Sequence, residues 1–370
     1  MNLAKNIGTI SYNIYCNFTN YGSALQTWAL HQAIKKLGHK PVLVDYCPDV
    51  LADKDPLNPF GNMWDKDEES MRMVNLTLPA IRTNFEKFDR FYHERFERTR
   101  QKYTAQNFSE IDIEGLDGFV CGSDTIFCID EFEGFDDGYY ANYPEMRGRS
   151  VSYAASFGDS HFDDTSYAVL NSRLQNFKAI GLREKAMLTY VREHCSVQVA
   201  RTVDPTLLLS YVDYDIIAEK KQVNEPYLLL YTRRYDSRME NYAEQIAKER
   251  GLKIVEISLR ATNAEKDHIM RYDAGVEEFL SLVKYSSFVV TNSFHGLIFA
   301  VQYKRPMVVF TREQADSKIN ELLDLLGLKQ NKFSTGAEEY QEIDYDCVHN
   351  RIMRTRADSL NFLKMELELI

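Results

Sequence analysis

Apolar positions along the chain fall into two alternating rhythms. The stretch IGTISYNI, Ile7–Ile14, reads as a strand. In the next segment Leu25, Trp28, Ala29, Ala33, Ile34 and Leu37 share one face of a helix, and Gly38 supplies its C-terminal stop. PVLVDY, Pro41–Tyr46, predicts a second strand. A βαβ opening of this kind implies a parallel sheet with a right-handed crossover. The rhythm then fails over residues 48–75, where Pro48, Pro56, Pro59 and the acidic run Asp65–Glu69 predict a long irregular excursion. It returns as a helix over Ile81–Phe96, with Phe85, Phe88, Phe91 or Tyr92, and Phe96 on one face. That aromatic stripe reads as core packing. Four short apolar strands follow within Leu116–Asp124, Arg149–Gly158, Phe177–Lys185 and Val197–Leu209. Each ends in small or charged residues, as strands lining a ligand crevice in an open α/β sheet do.

A polar stretch over residues 211–225, closed by Pro226, predicts a break, and a second α/β series begins beyond it. YLLLYT, KIVEIS, FVVTNS and PMVVF are its strands; SRMENYAEQIAKERG, VEEFLSLVKYSS, FHGLIFAVQYK and SKINELLDLLGL are its helices. A helical segment over about Asp346–Leu369 ends the sequence. The expected fold class is α/β, with two Rossmann-like domains facing each other across a cleft in a GT-B-like layout and a C-terminal helical segment. The expected boundaries are 1–212, 213–345 and 346–370, the last packing across or against the other two. A ligand is expected near the C-terminal ends of both sheets, although a fold by itself does not specify a reaction.

Composition narrows the function. A chain of 370 residues suits two cores. A net charge of −11 with no basic stripe argues against a nucleic-acid partner. The six cysteines show neither C-x-x-C spacing nor a disulfide framework, so no metal site and a reducing, cytoplasmic setting are expected. No apolar run has the length of a membrane span, and the N-terminus lacks a signal-like apolar region.

Candidate chemistry sits where strands give way to helices. In NYGSALQTWAL, Asn20, Tyr21, Gly22 and Ser23 form a turn that either caps a helix or holds a ligand at its N–H groups. CGSDTIF places Ser123 and Asp124 just past a strand; Asp124 is either a proton acceptor or a cap. GLREK offers Arg183, either for bidentate anion binding or for a pair with Glu184. In VDPTLLL, Asp204 reads as structural or as the partner of a basic residue. YTRRYD brings Arg233 and Arg234 to a strand tip, either as an anion clamp or with one of the two pointing to solvent. In TNSFHGLIFA, His295 lies in the first turn of a helix behind Ser293 and beside Gly296. The positive helix end favours a bound anion, and an anion there would let His295 act as a general acid near neutrality. Lys318, which opens a late helix, is either a further anion partner or a solvated charge.

In this order, NYGSALQTWAL, GSDTIF, VSYAASFG, GLREK, VDPTLLL, TNSFHGLIFA and SKINELLDLLGL resemble the polysaccharide pyruvyl transferase family, over about Asn20–Leu328. The resemblance implies transfer of an enolpyruvyl group from phosphoenolpyruvate to a sugar. The product is a pyruvate ketal, phosphate is released, and no metal or organic cofactor takes part. It assigns His295 as acid and Asp124 as base. Arg183, Arg233, Arg234, Ser293, Gly296 and Lys318 are assigned to the donor; Asn20, Tyr21, Gly22 and Ser123 to the acceptor. The acceptor would be a glycan or lipid-linked oligosaccharide met at the inner face of the membrane. Two departures stand out. Many members carry S-x-R-x-H-G where this chain has Ser293 and Phe294, and G-S-D-Q-x-W where it has Thr125 and Phe127. The donor's charge therefore falls to other basic residues. A nucleotide-sugar glycosyltransferase and a non-catalytic sugar- or phosphate-binding relative are the alternative readings.

Overall fold

A computed structural model describes residues 3–12, 19–57, 68–233, 235–258, 265–311, 316–333 and 340–370. The chain forms two compact units. The first comprises Met1–Lys54, Tyr92–Leu209 and Met353–Ile370; the second comprises Asp55–Phe91 and Ser210–Ile352.

The first unit is built on six strands: β1 (Asn6–Ile10), β2 (Lys40–Leu43), β3 (Gly118–Cys121), β4 (Ser150–Ala155), β5 (Phe177–Leu182) and β6 (Gln198–Arg201). They lie in the order β2-β1-β3-β4-β5-β6, and every pairing is parallel. β3 and β4 are buried along their whole length, which is why they read as continuous apolar runs rather than as alternation. From β1 the chain passes through helix α1 (Tyr21–Lys36) to β2 on one side, and later returns to β3 on the other. The strand order therefore reverses between β1 and β3. Such a reversal leaves a crevice at the carboxyl ends of the two strands.

α1 is covered almost all round. Besides its apolar stripe, Gln26, Thr27 and His31 are buried, because the helix packs on β2 and also against the turn Pro205–Leu207. His31 Nε2 meets Thr9 Oγ1 from β1, and its ring stands edge-on to Phe96.

In the second unit the strands are β7 (Tyr227–Thr232), β8 (Lys253–Ser258), β9 (His268–Met270), β10 (Phe288–Thr291) and β11 (Met307–Val309), ordered β11-β10-β7-β8-β9 and all parallel. The order here reverses between β7 and β10. The three-residue edge strand β9 is too short to show in the apolar pattern.

Helix α2 (Glu68–Arg95) begins earlier than the sequence suggests. Glu68 and Glu69, read as part of an irregular excursion, instead open this helix, where carboxylates suit the positive end, and Pro79 is accommodated inside it. Phe88, Phe91, Tyr92 and Phe96 are buried, as core packing requires. In the second unit Asn84 Nδ2 donates to the Ala274 carbonyl at 2.6 Å, and Lys87 Nζ sits 3.0 Å from Asp273 and 2.7 Å from Glu278.

The chain closes with helix α10 (Tyr345–Leu369). Lys5 donates to the carbonyls of Leu367 and Glu368, and Lys178 to that of Leu369. Two cations thus satisfy the carbonyls that a helix leaves unpaired at its negative end.

Burial, with a smaller push from Lys35, drives the His31 pKa down from 6.5 to about 3. The folded state therefore holds His31 neutral, while the unfolded chain takes up a proton below 6.5. Its contribution is complete above that pH and is lost as pH falls toward 3, by up to ~1.4 kcal/mol per pH unit. Urea unfolding of wild type and His31→Gln at pH 7.5 and 5.5 should show the larger acid-induced loss in wild type. Equal losses would remove His31 as the cause.

Candidate active site

At the carboxyl edge of the first sheet, residues from four distant motifs meet. Asn20 caps α1: its Oδ1 accepts from the Gly22 and Ser23 N–H groups at 3.0 and 3.3 Å. The capping oxygen occupies those N–H groups, so this turn is a satisfied helix start. Tyr21 and Gly22 are buried in the first turn of α1. One turn in, Ser23 Oγ donates to Asp124 Oδ2 at 3.1 Å. Asp124 follows β3 with φ +72°, and Gly122 just before it has φ +153°. A side chain at Gly122 would drive into the Tyr153 carbonyl, so only glycine lets β3 turn this close to β4. Ser123 Oγ donates to the Ala154 carbonyl at 2.7 Å, and Asp124 Oδ1 accepts from the Thr125 N–H at 3.0 Å.

Arg183, at the end of β5, faces three carboxylates. Its guanidinium lies 3.0 Å from Asp204, 2.8 Å from Glu184 and 3.6 Å from Asp124. Its side chain is only 6% exposed. Burial pulls its pKa down, but Glu184, Asp124 and Asp204 outweigh burial and raise it, so the charge is locked on. Asp204 is fixed in turn by Thr206, whose N–H and hydroxyl donate to Oδ1 at 3.0 and 2.6 Å. The residues the sequence offered as Arg183–Glu184 and as Asp204 are one cluster that also includes Asp124.

In the second unit the chemistry gathers where β7 and β10 end side by side. Asn292, buried just past β10, accepts the Arg233 backbone N–H on its Oδ1 at 2.8 Å. Thr291 Oγ1 donates to the Tyr231 carbonyl at 2.8 Å and accepts from the Ser293 N–H at 3.0 Å. Ser293 caps helix α8 (Phe294–Gln302), taking the Gly296 N–H on its hydroxyl at 3.2 Å. A Cβ on Gly296 would meet Thr291 Oγ1 at 2.5 Å and Tyr231 Cδ1 at 2.9 Å. Glycine is therefore what lets α8 lie against the two strand ends. His295 is 93% buried in that first turn, edge-on to Phe294 at 5.2 Å between centroids. Lys318 is half-buried in helix α9 (Asp316–Leu326). Arg234 lies outside the described residues.

The expected site residues thus divide into two sets. Asn20, Tyr21, Gly22, Ser123 and Asp124 belong to the β1/β3 reversal and Arg183 to the end of β5, beyond β4, whereas Arg233, Ser293, His295 and Gly296 belong to the β7/β10 reversal. Gln26 and Asn292 were not singled out by sequence, because an amide within a helix or turn gives no periodic signal. Among the described residues no group of three or more His, Cys, Asp or Glu could hold a metal ion, and no helix is long and apolar enough to cross a membrane.

A family model described as polysaccharide pyruvyl transferase matches residues 20–314. No curated protein sequence matches. Among solved structures, the S. aureus MnaA–UDP co-structure aligns over 100% of this chain and 98% of its own, at 15% identity and a TM-score of 0.51. UDP-GlcNAc 2-epimerase from Methanocaldococcus jannaschii aligns over 95% and 92%, at 11% identity and a TM-score of 0.51. At such identities the likeness is one of fold: two Rossmann-like units of the GT-B type.

Arg183→Met would take the guanidinium away from Asp124, Glu184 and Asp204. Stranding buried charge of this kind costs roughly 3–5 kcal/mol. Urea unfolding of the variant should show a loss of that order; a loss under 1 kcal/mol would mean the cluster is solvated rather than locked.

Proposed function

The chain belongs to the polysaccharide pyruvyl transferase family, a family of polysaccharide-modifying transferases, and from that premise we propose that it moves an enolpyruvyl group from phosphoenolpyruvate onto a sugar diol. The observation that carries this reading is where the matched motifs fall. Within residues 20–314, Asn20–Ser23 and Ser123–Asp124 follow the two strands that flank the order reversal of the first sheet, and Ser293–Gly296 follows β10 at the reversal of the second, the positions at which open α/β sheets bind ligands.

The reaction balances without an outside reagent. C3 of the enol ether takes a proton, C2 becomes oxocarbenium-like, and one sugar hydroxyl adds to it. The C2–O bond to phosphate breaks, and a second hydroxyl closes the ketal. Two hydroxyl protons are released; one ends on the new methyl group and the other on phosphate. The chain must therefore supply a proton donor, a proton acceptor and cations for a carboxylate and a phosphate.

His295 is the proton donor. It lies in the first turn of α8, where the helix end favours anions. Arg233, Ser293, Gly296 and Lys318 form the donor side in the second unit. Asp124 is the base for the acceptor hydroxyl, in the first unit, with Ser123 and the Asn20–Gly22 turn beside it. The Arg183 guanidinium lies 3.6 Å from the Asp124 carboxylate. The acceptor class is a glycan or lipid-linked oligosaccharide, met at the inner membrane face by a cytoplasmic enzyme.

Phosphate release from phosphoenolpyruvate, measured against methyl glycosides and lipid-linked oligosaccharides, tests the reading. Loss of general acid help costs ~10²–10⁴-fold. His295→Gln should lose turnover in that range while unfolding at the wild-type temperature; near-wild-type turnover would remove His295 from the chemistry. Phosphoenolpyruvate should also raise the melting temperature. Stabilisation by a nucleoside diphosphate and not by phosphoenolpyruvate would point to nucleotide-sugar transfer instead.

A further inference from the structure

Gln26 is fully buried, in the second turn of α1. Its side chain is committed on both ends. Nε2 donates to Ser11 Oγ at 2.6 Å, to Thr27 Oγ1 at 2.8 Å and to the Ser23 carbonyl at 3.1 Å. Oε1 accepts the backbone N–H of Ser123 at 2.9 Å. Ser11 directly follows β1, and Ser123 directly precedes Asp124 after β3. One amide therefore ties together the ends of the two strands between which the sheet order reverses. From the same helical face, one turn earlier, Ser23 donates to the Asp124 carboxylate.

An apolar residue would fill this position equally well if packing were all that mattered in a helix covered on every side. A buried amide is favourable only when its donors and acceptor are all matched, and this one is matched to groups that define one junction. The backbone at this junction also needs support: Gly122 and Asp124 both have positive φ, a conformation that a non-glycine residue holds only when its surroundings fix it.

We propose that Gln26 is a positioning residue for the acceptor-side base: it clamps the turn carrying Asp124 to the end of β1, while Ser23 sets the direction of the carboxylate. α1 is then the mount of the base as well as the crossover helix of the first βαβ unit. The proposal rests on the transferase reading above, since it gives Asp124 a proton to accept.

Two substitutions separate positioning from packing. Gln26→Met keeps the length and loses the Ser123 link. Thr27→Val loses the hydroxyl on the helix side of the network and leaves the Gln26–Ser123 bond in place. Kinetics would follow phosphate release from phosphoenolpyruvate with the methyl glycoside that wild type uses best, with melting temperatures measured in parallel. Gln26→Met should lower kcat at least tenfold, with KM for phosphoenolpyruvate within twofold of wild type. Thr27→Val should keep kcat within twofold, even where its melting temperature falls as far. An active wild type with unchanged kcat in Gln26→Met overturns the proposal alone, as do equal kcat losses in Gln26→Met and Thr27→Val. A wild type that releases no phosphate with any acceptor sinks the transferase reading, and the proposal with it.

Discussion

The first unit depends on the charge of one guanidinium. Arg183 and Asp204 are almost wholly removed from water, and Glu184 and Asp124 are largely so. Taking any of these ions out of water alone costs several kcal/mol, so they can be buried only as a set. The set has a fixed geometry because its members arrive on three different strand ends: Asp124 after β3, Arg183 and Glu184 after β5, Asp204 after β6. Arg183 thus fixes the spacing of three strand ends, and Asp124 reaches the edge in a defined place. Any chemistry assigned to Asp124 inherits that constraint.

The second unit holds its edge with neutral groups. The amide oxygen of Asn292 takes the Arg233 N–H, Thr291 bridges to Tyr231, and Ser293 caps α8. None of these three side chains brings a negative charge, and the helix end adds a positive potential. The electrostatic contrast between the edges follows directly. A carboxylate cluster suits hydroxyls that must lose protons; a neutral, dipole-lined turn suits an anionic donor. That contrast is the physical ground for giving the acceptor to the first unit and the donor to the second.

Much of this was legible in the sequence, for a definite reason. Strands buried on both faces appear as unbroken apolar runs, and helices such as Ser237–Arg250 carry a clear stripe with a glycine at their end, Gly251 having φ +63°. The strand-to-helix junctions that carry Asp124, Arg183 and His295 could therefore be placed before any coordinates. What periodicity could not show is partnership. Asp124 and Asp204 are far from Arg183 in sequence, and only the parallel order of β3, β4, β5 and β6 brings them together. Gln26 was hidden differently: a polar residue in an amphipathic helix is assigned to solvent by pattern, and the burial of α1 on nearly all sides reverses that assignment. The start of α2 was misplaced because acidic residues read as a break also suit a helix N-terminus.

The spread of the site along the chain is itself a consequence of topology. Parallel strands cannot be joined by tight turns, so each returns through a crossover. In a sheet of this kind every residue at the carboxyl edge is separated from the next by the length of one such crossover. No compact motif can therefore encode the site, and each junction taken singly is an ordinary capped turn. Specificity in the sequence resides in the order of the junctions, because that order must agree with the strand order. Here it does: the junctions after β1 and β3 flank one reversal, and those after β7 and β10 flank the other. The order of the junctions along the chain thus follows from the strand order of each sheet.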